Sequence, residues 1–274
     1  MLIYGKEIRE RIKETVRNYA AAYKLGMAIV MVGEEPASET YVKGIQKFGA
    51  ETGVAVHLIE LPGDTSEDVI IKTIQQLNND PDITGIMIQR PLPKNINSNR
   101  VVNTMDYTKD VEGVHNYNLG RLLNQEKGIK PCTPKAVIRM LKEHNIPIEG
   151  KNVVIIGRSV TVGSPLAVMM TSENATVTLC HSKTANLTYK IRQADIVVAA
   201  MGKMNYITED MITDEAAVID VGINFDKSGK MFGDVHEAAK SKARYASAVP
   251  GGVGLITVAE LFDNLRILYQ LSRE

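Results

Sequence analysis

The sequence has no excess of either charge, because its 274 residues include 32 Lys and Arg against 32 Asp and Glu. A chain without a net basic field is not drawn as a whole to nucleic acid or to an anionic membrane, so neither partner is expected. Cysteine is also scarce: Cys132 and Cys180 are the only two, and no cluster of Cys and His has the spacing of a zinc site. We therefore expect reduced thiols and no bound metal.

Targeting signals and long apolar runs are missing as well. The first ten residues, MLIYGKEIRE, lack the apolar core of a signal peptide, and no run reaches the length of a membrane span. These absences favour a cytoplasmic protein. The sequence shows no internal repeat, and 274 residues are enough for two domains with substantial cores.

What the sequence does contain is a strand, turn and helix pattern between Asn152 and Met170. Val153 to Ile156 is a β-branched apolar run typical of a buried strand, and a helical pattern follows Gly157. The turn reads Gly157-Arg158-Ser159, followed by Val162-Gly163-Ser164-Pro165. Such a turn presents backbone N–H groups and the positive end of a helix dipole to a phosphate. It is a relative of the dinucleotide fingerprint with serine at the middle glycine, and a turn without a ligand is the plain alternative.

The next strand, 175–180, bears on cofactor choice. A fold selective for NAD usually ends this strand with Asp or Glu, which binds the ribose 2′-hydroxyl. Here it is followed by His181-Ser182-Lys183-Thr184, and Arg158 stands beside the phosphate turn. Cations and hydroxyls suit the extra phosphate of NADP, which arginine can bind through two N–H groups. The pattern favours NADP over NAD, although solvated loop cations would give the same sequence.

Strand and helix patterns alternate along both halves, which predicts an α/β protein with mostly parallel sheets. In the first half, helices are predicted at 5–24, 38–52 and 65–78, and strands at 27–32, 54–61 and 85–89. Ser38 is predicted to cap the second helix, and Gly53 to end it. In the second half, strands are predicted at 153–156, 175–180, 195–200 and 217–221, and the last helix at 255–271. Thr133 is predicted to cap a further helix that ends near His144.

Nine segments, in order, resemble one family, the bifunctional methylenetetrahydrofolate dehydrogenase/methenyltetrahydrofolate cyclohydrolases. They are PASETYV at 36–42, QRPLP at 89–93, DVEG at 110–113, PCTP at 131–134, GRSVTVGSP at 157–165, CHSKT at 180–184, VIDVGIN at 218–224, GDV at 233–235 and PGGVG at 250–254. The resemblance runs from the first helix to the last. Such an ordered set is far more specific than a single glycine motif.

The resemblance implies a fold and two reactions. It implies an N-terminal α/β folate-binding catalytic domain at 1–122, which residues 255–274 rejoin, and an NAD(P)-binding Rossmann domain at 123–254. Hydride would pass from 5,10-methylenetetrahydrofolate to NADP, with NAD the less favoured acceptor, and water would open the methenyl product to 10-formyltetrahydrofolate. The family uses no metal and is typically homodimeric.

The resemblance also implies which residues act. Tyr41 and Gln89 correspond to the family's catalytic Tyr and Gln. The expected substrate-binding residues are Tyr41, Asp110, Glu112, Gly252 and Leu255. The expected cofactor-binding residues are Gly157, Arg158, Ser159, Val162, Gly163, Pro165, Ser182, Lys183 and Ile223. Without the family context, Tyr41 could be a packing aromatic and Asp110 a turn residue.

One departure from the family concerns catalysis. The family's general catalyst is a Lys four residues after the Tyr, and this chain has Ile45 at that position. At roughly 100° per residue, Ile45 lies about 40° from Tyr41 around the helix, whereas Lys43 and Lys47 lie about 200° and 240° away. Neither lysine is therefore expected to face the cleft.

The two reactions should suffer unequally from this change. Hydrolysis needs a proton carrier, which contributes about 10² to 10⁴ in rate, and isoleucine cannot be one. Hydride transfer depends mainly on holding the reacting carbons in line. We therefore predict a dehydrogenase with weak or absent cyclohydrolase activity. A fully bifunctional enzyme, an idle dinucleotide- or folate-binding protein, and a related dehydrogenase for another substrate are the alternatives.

Further departures concern the substrate. Arg90 stands where an apolar residue is usual after the Gln, Glu112 replaces the commoner Asp, and Leu255-Ile256 replaces the usual Pro-Met. Glu112 still offers two oxygens to the pterin ring, one methylene further out. These changes are predicted to affect substrate affinity more than the fold.

Overall fold

A computed structural model describes residues 1–273, apart from the side chains at 36 and 37. The chain divides into two compact units. The three-stranded unit comprises Glu10–Cys132 and the residues from Val258 onward, and the six-stranded unit comprises Met1–Arg9 and Thr133–Thr257. Both are built on parallel sheets, so the predicted two-domain α/β fold is confirmed.

The three-stranded unit has a parallel sheet in the order β3-β2-β4. Its strands are β2 (Gly26–Val32), β3 (Ala55–Leu61) and β4 (Gly85–Ile88), and its helices include α1 (Lys6–Ala22), which begins in the other unit, α2 (Pro36–Thr52), α3 (Glu67–Asn79), α4 (Ser98–Val102) and α5 (Asn116–Leu123). Every residue of β2 is buried, whereas exposure alternates along β3 at the edge. A central parallel strand is covered on both faces, which explains its continuous apolar run.

The six-stranded unit has a parallel sheet in the order β1-β11-β8-β7-β5-β6. Its strands are β1 (Leu2–Ile3), β5 (Asn152–Ile156), β6 (Thr176–Cys180), β7 (Ile196–Ala199), β8 (Ala217–Asp220) and β11 (Tyr245–Ser247), and β9 (Asn224–Phe225) and β10 (Met231–Phe232) form a separate antiparallel pair. Its helices include α6 (Cys132–Glu143), α7 (Gly163–Ser172), α8 (Leu187–Arg192) and α9 (Glu237–Lys242). The first strand therefore lies in this sheet, although the sequence division assigns residues 1–122 to the folate-binding domain.

The last helix, α10 (Val253–Leu271), contributes most of its length to the three-stranded unit. It carries a buried apolar stripe, namely Leu261, Phe262, Leu265 and Leu268. The rings of Phe262 and Phe48 of α2 lie 4.7 Å apart between centroids, and those of Tyr269 and Tyr19 of α1 lie 6.0 Å apart. The C-terminal helix thus rejoins the unit formed by the first half of the chain.

Two predicted helix caps are wrong. Ser38 is not a cap, because α2 begins at Pro36 after the extended residue Glu35. Thr133 lies inside α6, which begins one residue earlier at Cys132. By contrast, Gly53 ends α2 in the left-handed conformation, as predicted. None of the helices within residues 1–273 combines the length and apolar character that crossing a membrane requires.

Candidate active site

Helix α2 places the candidate catalytic residues on one side. Tyr41 is half-buried and Ile45 is completely buried, whereas Lys43 and Lys47 are exposed. Lys43 pairs instead with Glu39, one turn earlier, at 3.3 Å. The helix geometry predicted from sequence is therefore confirmed, and the buried face of α2 at position 45 carries no ionisable group.

Gln89 directly follows β4 and is only 8% exposed. Its Nε2 donates hydrogen bonds to the Ser38 hydroxyl at 3.2 Å and to the Arg90 carbonyl at 2.7 Å. Its Oε1 is buried and accepts no hydrogen bond from the described residues. A buried acceptor without a donor is costly, so this oxygen is suited to an N–H or O–H group of a ligand.

The role of Ser38 in this site is not visible in the sequence. Its hydroxyl donates to Glu35 Oε2 at 3.1 Å while accepting from Gln89. Because that partner lies 51 positions away, only the packing of α2 against β4 brings them together. Ser38 holds the Gln89 amide, whereas its local pattern predicted a helix cap.

A half-buried ion pair lies beside Gln89. Arg90 Nη2 donates to Glu112 Oε1 at 3.2 Å, and the two side chains are 28% and 17% exposed. Burial raises the pKa of the Glu112 carboxyl, and Arg90 acts against that rise. Burial also raises the pKa of the Tyr41 hydroxyl, with Cys132 and Glu112 adding to it. Tyr41 is therefore a hydrogen-bond donor near neutral pH and a poor proton acceptor.

Asp110 is bonded within its own loop. The side chain is completely buried and accepts from the backbone N–H of Gly113 at 3.0 Å and of His115 at 2.8 Å, and from Asn118 Nδ2 at 2.8 Å. Burial raises the pKa of its carboxyl, and these donors lower it. Its surroundings make Asp110 the anchor of the loop that carries Glu112, and its contact with substrate stays a prediction.

Asn264 of α10 holds the same loop from the other side. Its Nδ2 donates to the carbonyls of Val111 at 2.9 Å and Lys130 at 3.0 Å, and it lies 3.3 Å from the Cys132 sulfur. Asn264 is not among the residues predicted from the sequence. A polar residue within the apolar stripe of α10 was the available signal, because buried amides are kept where they satisfy backbone carbonyls.

The predicted phosphate turn is present between β5 and α7. Gly157 has a φ of +130°, and a Cβ there would overlap the Ala200 carbonyl oxygen. A Cβ at Gly163 would overlap the Gly157 carbonyl oxygen, so both positions require glycine. The Ser159 hydroxyl accepts from the backbone N–H of Val162 at 3.2 Å. Pro165 is buried in the first turn of α7.

The residues predicted to select NADP follow neighbouring strands. Ile156 of β5 pairs with Cys180 of β6, and the N–H of Gly157 donates to the Cys180 carbonyl at 2.9 Å. The loops after these strands therefore start side by side. Three exposed polar residues lie on them: Arg158, Ser182 and Lys183. The arrangement fits a dinucleotide, since the backbone cradle is closed to side chains while the cations and hydroxyl remain accessible.

A buried acidic network positions the adjacent loops. The Asp234 carboxylate accepts from the N–H groups of Met201 and Lys203, each at 2.7 Å, and from Asn224 Nδ2 at 2.9 Å. Asp220 accepts from the N–H of Asp234 at 2.9 Å. These bonds hold the loop on which Ile223 is 55% exposed. The motifs containing both aspartates are visible in the sequence, but their bonding is not.

The remaining predicted substrate residues belong to the six-stranded unit. Gly252 is buried just before α10, where a Cβ would overlap the Ala248 carbonyl oxygen, and Leu255 is 36% exposed. Tyr41, Gln89 and Glu112 belong to the three-stranded unit. Within residues 1–273, no three or more His, Cys, Asp or Glu side chains gather in a way that could hold a metal ion.

Fold and site together define a class. A parallel sheet with a glycine turn at a strand end, joined in one chain to an α/β unit with a polar site, is typical of two-domain dinucleotide-binding proteins. The chain belongs to the tetrahydrofolate dehydrogenase/cyclohydrolase family: the catalytic-domain model matches residues 3–112, and the NAD(P)-binding-domain model matches residues 131–273. The family resemblance seen in the sequence is confirmed.

Individual relatives agree over nearly the whole chain. A protein from Syntrophomonas wolfei called bifunctional protein FolD 2 is 61% identical, covering 98% of this chain and 99% of its own. The Campylobacter jejuni bifunctional FolD structure is 37% identical, with a TM-score of 0.96 and 99% of both chains covered. The Trypanosoma brucei FolD structure, described as complexed with NADP cofactor and inhibitor, is 31% identical with a TM-score of 0.96, covering 100% of this chain and 98% of its own.

Proposed function

We propose that this protein is an NADP-dependent methylenetetrahydrofolate dehydrogenase, which converts 5,10-methylenetetrahydrofolate to 5,10-methenyltetrahydrofolate. The substrate side supports this through hydrogen-bonding groups that can hold a folate: the Tyr41 hydroxyl, the free Gln89 Oε1 and the Glu112 carboxylate. A pterin ring presents N–H donors that a carboxylate can accept in pairs. Holding and aligning the substrate is the main demand of hydride transfer.

The residues around the phosphate turn would hold the dinucleotide. The glycines at 157 and 163 leave room for its pyrophosphate at the start of α7, and Arg158 and Ser182 offer a cation and a hydroxyl to a 2′-phosphate. The bound dinucleotide would supply the hydride acceptor. The absence of an acidic residue at 181–184 supports NADP over NAD.

The observation that carries the dehydrogenase proposal is the contrast at α2. Hydrogen-bonding groups remain at Tyr41 and Gln89, whereas the side chain at position 45 is a fully buried isoleucine. The prediction of weak hydrolysis is not confirmed. The names of the relatives favour the second candidate, a fully bifunctional enzyme, in which a group other than residue 45 would carry the proton.

A paired assay on the purified protein separates these candidates. One arm measures cofactor reduction with methylenetetrahydrofolate and either NADP or NAD, and the other measures decay of methenyltetrahydrofolate above its spontaneous rate. Reduction without accelerated decay supports a single activity. Both activities together establish the bifunctional enzyme. The absence of both activities favours an idle binding protein.

Further expectations about localisation, partners and domain roles accompany the proposal. We expect a cytoplasmic homodimer that has neither nucleic acid nor membrane as a partner. Residues 1–122 with 255–274 would bind folate, and residues 123–254 would bind the dinucleotide. Sedimentation of the purified protein measures the oligomer, and limited proteolysis with and without each ligand reports which segments that ligand protects.

A further inference from the structure

The ion pair between Arg90 and Glu112 joins two loops of the three-stranded unit. Arg90 follows Gln89 at the end of β4, and Glu112 lies 22 positions further on, in the loop anchored by Asp110. The guanidinium and carboxylate are 3.2 Å apart, and both side chains are mostly shielded from water. A shielded pair is screened less than a surface pair, so the guanidinium strongly favours the ionised form of the carboxyl.

The groups around Glu112 determine how far its ionised form depends on Arg90. Burial raises the pKa of this carboxyl, and the negative Asp110 raises it as well. The titratable hydroxyl of Tyr41 faces it, and the Cys132 thiol points at its carbonyl at 3.9 Å. Neither Tyr41 nor Cys132 is a cation, whereas Arg90 is positively charged and favours the ionised carboxylate.

The charge of Glu112 matters to the ring it would bind. An ionised carboxylate can accept hydrogen bonds from two neighbouring N–H groups. A protonated carboxyl carries an O–H in place of one acceptor oxygen, so it accepts fewer such bonds. We propose that Arg90 is a positioning residue for the substrate, which through its 3.2 Å ion pair keeps the Glu112 carboxylate ionised for the N–H groups of a pterin ring. This inference rests on the proposed folate function and adds the residue that controls its ring-binding group.

Arg90 cannot itself replace a proton carrier. A guanidinium remains protonated at any pH at which the protein is folded, so it supplies charge but accepts no proton. The proposed role therefore concerns substrate affinity and its pH dependence. It does not require that the protein catalyse hydrolysis, because that reaction would depend on other groups.

The test compares Arg90→Leu, Arg90→Lys and the control Arg100→Leu. Arg100 forms an ion pair with Glu67 at 3.0 Å in the same unit, outside the site, and is the more exposed of the two arginines at 63%. Calorimetry measures tetrahydrofolate binding from pH 5.5 to 9, and NADP binding and a thermal melt report whether each variant is folded. We expect Arg90→Leu to bind tetrahydrofolate about tenfold more weakly at the acidic end, because removing a nearby cation favours the neutral acid.

The direction of the pH effect is specific. Glu112 binds the ring when ionised, so affinity falls as the pH drops through its pKa, and without Arg90 this fall begins at a higher pH. At pH 9 the leucine variant should approach the wild type. Arg90→Lys should keep most of the wild-type profile, and Arg100→Leu all of it. A loss of affinity that is equal at every pH would overturn the proposal, because it would indicate packing alone.

A second measurement keeps this result separate from the proposed function. In the Glu112→Gln background, adding Arg90→Leu should no longer move the pH profile, since the titrating group is gone. Tetrahydrofolate binding with the expected pH shift supports the role of Arg90, whether or not the wild type turns over substrate. A wild type that binds tetrahydrofolate but turns over no substrate would refute only the proposed dehydrogenase activity. If wild-type protein binds no tetrahydrofolate, both proposals fail.

Discussion

The phosphate turn and the substrate site are built in different ways. The turn at Gly157 and Gly163 is made of backbone, and its key property is that a Cβ would overlap a carbonyl oxygen. The substrate site is made of side chains from separate segments, among them Tyr41, Gln89 and Glu112. A backbone site keeps its function while nearby side chains vary. A side-chain site can change its chemistry through one substitution, and the proposal for Ile45 is of that kind.

The largest expected effect concerns Ile45→Lys. A lysine amine at this buried position has its pKa lowered by desolvation, which suits it to proton transfer, and cyclohydrolase activity should rise by about 10² to 10⁴. The measurement is decay of methenyltetrahydrofolate. Ile45→Met is the matched control, because it fills similar volume without an ionisable group. An unchanged rate in the lysine variant, or rapid hydrolysis by the wild type, would contradict the assignment.

The backbone side of the comparison is tested by Gly157→Ala. Its positive φ and the overlap with Ala200 should destabilise the turn by about 3 kcal/mol and abolish most NADP binding. Gly202→Ala is the control, because its φ is +64° but no described heavy atom lies within 4 Å of the added carbon. The control should lose only about 1 kcal/mol. If both variants lost stability and NADP binding equally, the close approach of residue 157 to the Ala200 carbonyl would be unimportant.

A smaller effect is expected from Asn264→Ala, which releases the loop that carries Glu112. The carbonyls of Val111 and Lys130 would lose their buried donor, at a cost of about 2 kcal/mol in the free energy of unfolding. Urea unfolding measures this, and tetrahydrofolate affinity should fall with it. Asn79→Ala removes an exposed amide that donates to Gln75, and it should change neither quantity appreciably. Similar results for both variants would argue against the anchor.

The smallest effect is expected from Arg158→Ala. Loss of one charge-assisted contact should raise the KM for NADP about tenfold, whereas the KM for NAD should stay unchanged. Steady-state kinetics with both cofactors on the same variant supply the internal control. Parallel changes for both cofactors would mean that Arg158 supports the turn and does not recognise the 2′-phosphate.

Features made of local backbone were predicted from the sequence more accurately than contacts between distant side chains. Strands β2 to β8 and the turn from Gly157 to Gly163 were predicted within a few residues, because periodicity and glycine placement are local signals. The two- and three-residue strands β1 and β11 were missed, because they are too short to show a period. The caps at Ser38 and Thr133 were misplaced, since several neighbouring residues could cap and the local pattern does not choose among them. The short helices α4 and α5 were missed, because they have little periodicity to detect.

The α/β class, the two halves, the glycine turn and the family all follow from local patterns in a fixed order, so they can be read from the sequence alone. Tertiary structure decided which polar groups meet. It paired Arg90 with Glu112, turned Asp110 inward as a loop anchor, and brought Asn264 to the carbonyl of Val111, 153 positions away. Such contacts depend on how strands and helices pack, so no spacing within one segment encodes them.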